Sequence, residues 1–62
     1  MLNNMEHLIL RLRKALVHYE ECVDADAAKH IVGSSLAILS KCLSNLQDEV
    51  NKQMLKIMSE ID

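Results

Sequence analysis

The sequence predicts an all-α fold, an antiparallel helical hairpin with a longer second helix that assembles with other helices into a bundle. Three observations carry this expectation. Half of the 62 residues are apolar, but they are Leu, Ile, Val, Ala and Met, with one Tyr and no Phe or Trp. There is no Pro and one Gly, Gly33, so the turn punctuation of β and α/β folds is nearly absent. The apolar residues recur in steps of three and four, the period of one helix face.

The first helix is expected over about residues 4–23. Met5, Leu8, Ile9, Leu12, Ala15, Leu16, Tyr19, Cys22 and Val23 follow the helical template. Glu6, His7, Arg11, Arg13, Lys14, His18, Glu20 and Glu21 fall outside the stripe, and Leu10 and Val17 sit together on the polar side. Asn3 or Asn4 suits the N-cap. A turn is expected at residues 24–26, where Asp24 and Asp26 are both competent N-caps for a second helix.

The second helix is expected over about residues 26–60. Its stripe is Ala28, Val32, Leu36, Leu39, Leu43, Leu46, Val50, Ile57 and Ile61, interrupted at Gln53 with Met54 alongside. Ile31, Ser35, Ile38 and Cys42 widen one flank. Steps of four and three suit shallow-angle, knobs-into-holes packing. Ser44-Asn45-Leu46-Gln47 fits a capping box and offers a restart, but no Gly or Pro lies nearby, which favours one continuous helix.

A turn centred near Ala25 pairs residues whose numbers sum to about 50 by equal rise on both helices. The chain past Val50 then projects roughly 18 Å beyond its partner. So short a chain, with two facing stripes wet at their edges, is marginal alone; self-association is the simplest remedy. The expected helix-packing and partner interface is Leu8, Leu12, Leu16, Tyr19, Val32, Leu36, Leu39, Leu43, Leu46, Val50, Met54, Ile57 and Ile61. Gly33, Ser34 and Ala37, with Ser44, form a small-residue track that suits an outer contact.

The formal net charge of −2 gives no global field for nucleic acid or an anionic membrane. No apolar run approaches the ~20 residues of a membrane span. The first residues lack a basic and then apolar leader, so a cytoplasmic protein with reduced Cys22 and Cys42 is expected. The same pairing sets the two thiols roughly two dozen ångströms apart, too far for a disulfide. His18 and Cys22 share a face at i, i+4, but His30 is expected to point away from them, so no metal site or cofactor is expected. No catalytic constellation can be placed, and a hairpin offers no enclosed pocket. The expectation is a protein that is not an enzyme.

Three resemblances bear on function. Ala28-Lys29-His30-Ile31-Val32-Gly33-Ser34-Ser35 resembles the phosphoacceptor helix of histidine phosphotransfer domains, which carry His-x-x-Lys-Gly-Ser-Ser. Here Gly33 follows His30 by three residues and the Lys is absent, which turns Gly33 away from its place in that pattern. The length, the two helices and the turn Asp24-Ala25-Asp26 resemble the small RNA-binding hairpins of the Rop group. That likeness implies a dimeric four-helix bundle with Arg11, Arg13, Lys14 and His18 acting electrostatically. The leucine-rich first helix, Leu8 to Leu16, and Leu36-Ala37-Ile38-Leu39 resemble the E-type co-chaperones of the type III secretion needle subunit. Those hairpins pair with a larger helical chaperone to hold the needle protein before export.

Taken together, the residues favour a non-enzymatic interaction protein acting by helix–helix packing, with a co-chaperone-like role toward a helical protein partner. Its partners are itself, as a homodimer or higher, or a helical protein. The runner-up is a dimeric RNA-binding regulator, although nucleic acid is disfavoured by charge. The third reading is a phosphotransfer-like bundle centred on His30.

Overall fold

Two helices account for nearly all of the chain: α1, Asn4–Asp24, and α2, Lys29–Glu60. This computed structural model describes residues 4–61, so Asn3, one of the two N-cap candidates, lies outside the described residues. The fold is the expected all-α hairpin with the longer second helix. α2 runs unbroken through Ser44, so the capping box there does not start a new helix.

The turn differs from the expected one, and the reason is local. Backbone N–H groups of Asp26 and Ala27 donate to the carbonyls of Val23 and Cys22 at 3.1 and 2.9 Å. These two bonds are a Schellman motif closing α1, with Asp26 at the left-handed position, φ 54°. Asp tolerates that conformation better than most residues. The aspartates therefore end the first helix rather than cap the second. α2 begins three residues later than expected, on Ala28, which has no side-chain cap bond. Its carbonyl receives the Ile31 and Val32 N–H groups at 2.9 and 3.1 Å.

The later turn shifts the register. His18 meets Ser35, so facing residues have numbers summing to about 53 rather than 50. Naming Met5 and Val32 as position a of a heptad, the a and d seam of α1 is Met5, Leu8, Leu12, Ala15, Tyr19 and Cys22. That of α2 is Val32, Ser35, Leu39, Cys42, Leu46 and Glu49. All twelve are buried or half-buried. Ser35, expected on a flank, is the least exposed residue described, at 2%. The register sets a large side chain beside a small one at four successive levels: Leu12 with Cys42, Ala15 with Leu39, Tyr19 with Ser35, Cys22 with Val32. Alternating large and small residues across a seam lets facing layers interdigitate.

The core is correspondingly thin. Among the described residues only Ala15, Cys22 and Ser35 are buried. The chain measures 52 × 22 × 12 Å, with a radius of gyration of 15.2 Å against ~10.6 Å for a compact domain of its length. It exposes 5147 Å² at 7.0 kDa, where a compact monomer exposes about 4,000 Å². The excess, roughly 1,100 Å², exceeds the ~800 Å² that one partner contributes to a standard protein interface.

Candidate helix-docking faces

The two flanks of the seam differ in chemistry. On one side run the e positions, Ile9, Leu16 and Val23 of α1 with Leu36, Leu43 and Val50 of α2. In an antiparallel pair the e positions of both helices flank the same edge, so these six side chains form one apolar face. Leu36, Leu43, Leu16 and Val23 are 40–51% exposed. Ile57, one heptad beyond Val50, is 54% exposed.

The face continues along the overhang. With the observed register, Asn4 stands beside Glu49, and α2 beyond that point has no partner among the described residues. Every residue from Asn51 to Ile61 is exposed. The seam positions there turn polar: Glu49, Gln53, Lys56 and Glu60. The apolar stripe instead follows Val50, Met54, Ile57 and Ile61, swung by about 100° toward the e side. Thus α2 carries one apolar track from Leu36 to Ile61 that α1 covers in part as far as Val50 and leaves open beyond it.

On the other side lies a groove of about 500 Å³ lined by Arg11, Lys14, Ala15 and His18 of α1 and by Ser35, Ile38, Lys41, Cys42 and Asn45 of α2. Ala15, Cys42 and Ser35 lie deepest in it, and Ile38 is an exposed apolar side chain of its wall. A 3.0 Å hydrogen bond joins His18 Nδ1 to Ser35 Oγ across the helices, and Cys22 Sγ lies 3.9 Å from each ring nitrogen. Although His18 falls outside the apolar stripe of α1, it hydrogen-bonds across the helices to the seam residue Ser35.

The predicted interface residues divide between seam and open face. Leu8, Leu12, Tyr19, Val32, Leu39, Leu46 and Val50 are half-buried, while Leu16, Leu36, Leu43, Met54, Ile57 and Ile61 are exposed. Gly33, Ser34 and Ala37 are exposed on the outer surface of α2. A Cβ at Gly33 would meet nothing within 4 Å, so no close approach explains the glycine. His30 is exposed on the same surface. Cys22 and Cys42 are free, at levels roughly 16 Å apart along the hairpin. Among the described residues no group of three His, Cys, Asp or Glu side chains is placed to hold a metal ion, and no helix is long and apolar enough to cross a membrane.

Sequence reasoning missed Lys41. The signal was present: residues 7–19 and 27–47 contain no acid and five cations, Arg11, Arg13, Lys14, Lys29 and Lys41. All nine acids fall toward the turn, the start of the chain or the end of α2. The hairpin thus has a basic waist between acidic ends. No family model, no curated protein and no solved structure matches the chain.

Proposed function

We propose that this chain is a non-enzymatic interaction protein that acts by helix–helix packing, in the manner of a small co-chaperone that binds a helical protein partner. The observation that carries the reading is the exposed apolar track Leu36, Leu43, Ile57 and Ile61 with half-buried Val50, joined by Leu16 and Val23. Apolar area removed from water stabilises a complex by about 25 cal/mol per Å² before association costs. The elongated chain exposes roughly 1,100 Å² more than a compact monomer, room for an interface of ordinary size. The heptad spacing of the open face fits a helix, since ridges every seven residues accept knobs from a partner helix. A second copy of the chain would occupy the same face when no other helix is present.

The test is solution mass and circular dichroism over a range of concentrations, with Leu43→Asp and Ile57→Asp. Wild type is expected to gain helicity and mass with concentration. Each Asp places a charge at the centre of the apolar track and is expected to weaken association at least about tenfold. A wild-type chain that is a stable, fully helical monomer at every concentration would refute the reading. So would Asp variants with unchanged mass and affinity.

A further inference from the structure

The groove opposite the apolar track has its own chemistry. Lys41 on α2 stands level with residues 12–13 of α1, between Arg11 and Lys14. Three cations therefore line one groove within about 4.5 Å of axial rise. No carboxylate is among the nine lining residues. None of the three cations has an ion-pair partner among the described residues. Like charges gathered this way repel and raise the local potential, which an incoming anion relieves.

We propose that this groove is a second docking site, for a short acidic amphipathic helix of a partner protein, whose carboxylates pair with Arg11, Lys14 and Lys41 while its apolar residues cover Ile38, Ala15 and Cys42. Two features select this occupant. Between the cations the lining includes the apolar side chains of Ala15, Ile38 and Cys42, so a ligand presenting only phosphates leaves Ile38 and Cys42 uncovered. The acid-free waist is also bounded. On the groove side it ends at Asp48, one heptad beyond Lys41, and at Glu21, one heptad beyond Lys14, roughly 23 Å apart along the axis. A long polyanion lying along the groove would run onto acidic side chains at both ends, whereas a helix with acids over its central turns would not. The only aromatic residue, Tyr19, is half-buried in the seam and unavailable for stacking on bases. The chain's own acids do not make such a helix. Glu20, Glu21, Asp24 and Asp26 straddle the end of α1, and Asp48 and Glu49 are followed within two turns by Lys52 and Lys56. The two docking sites lie on opposite flanks of the seam, so both can be filled at once.

The probe is a synthetic helix of about four turns with Glu flanking a Leu stripe, beside a twin with Gln for every Glu and a single-stranded RNA of similar length. Binding to the full chain is followed by fluorescence anisotropy at low and high salt. The Glu helix is expected to bind, to weaken as salt rises, and to lose at least about tenfold in affinity against Lys14→Glu/Lys41→Glu. Lys14→Gln/Lys41→Gln, which adds no repulsion, is expected to lose affinity by a smaller factor. Leu43→Asp, on the opposite flank, is expected to bind the Glu helix as wild type does, even if self-association is lost. The proposal is overturned if the Gln twin binds as tightly, if the RNA binds more tightly than the Glu helix, or if neither lysine pair changes affinity. It is also overturned if the lysine variants lower the chain's own solution mass, since the groove would then hold a second copy.

Discussion

The seam and the open face use opposite kinds of side chain. The buried d positions are Ala15, Cys22 and Ser35, with half-buried Cys42, while the positions immediately after them are Leu16, Val23, Leu36 and Leu43. At these four levels a small residue sits between the helices and the large residue after it lies outside. Small seam residues draw the helices together but bury little apolar area, so the hairpin contributes little to its own stability. The large outer residues keep 40–51% of their surface in water, and only another helix can cover it. The difference teaches that the hairpin is thin by composition, with large apolar side chains left partly in water along one flank.

Adjacent residues test this most directly. Ala15 is buried beside the level of Leu39, and Leu16 is 40% exposed. Ala15→Leu forces extra volume into the seam and is expected to cost about 1–3 kcal/mol of hairpin stability. Chemical denaturation at low concentration reads that loss. Leu16→Ala under the same dilute conditions is expected to change stability by no more than about 0.5 kcal/mol. Its effect should appear only at concentrations where the chain associates. If Leu16→Ala is as damaging as Ala15→Leu in the dilute chain, the distinction between seam and open face fails.

The fold was legible because helix period and the lack of Pro and Gly are local signals, and α1 and α2 follow them closely. The seam was only half legible. Leu36 and Leu43 lie four residues from Val32 and Leu39, within the stripe, and large leucines read as core. Ser35 and Cys42 read as flank because they are small and weakly apolar. What decided between the two edges was the register, and the register depends on the turn. Asp24 and Asp26 suit either the end of one helix or the start of the next, and only the backbone bonds from Asp26 and Ala27 show which. The basic groove required both helices, since Lys41 joins Arg11 and Lys14 only after the register is fixed.

The closed end offers a smaller test of the same contrast. α2 starts on Ala28 with no side-chain cap and no acid in its first turn. Ala28→Asp supplies an acceptor for the unpaired N–H groups and a charge that suits the helix dipole. It is expected to stabilise the hairpin by about 1 kcal/mol, measured by thermal or chemical unfolding. Because it touches neither flank, it should raise hairpin stability without altering affinity for a helical partner. A gain in affinity matching the gain in stability would instead mean that binding is limited by how much of the chain is folded.

A small effect is also expected at the most buried residue. Ser35 Oγ and His18 Nδ1 share a hydrogen bond at 3.0 Å, and such bonds contribute about 0.5–1.5 kcal/mol net. His18 is itself exposed, so Ser35→Ala leaves it open to water rather than orphaned in the core. Ala also matches the small volume that the seam requires beside Tyr19. The two effects oppose each other, and Ser35→Ala is expected to change stability by less than about 1 kcal/mol. Ser35→Leu, at the same position, is expected to cost at least as much as Ala15→Leu, because the helices cannot close over it. A large loss for Ala beside a small one for Leu would show that Ser35 is kept for its hydroxyl. The opposite order would show that the seam selects for size, which is what leaves the leucines on the outside.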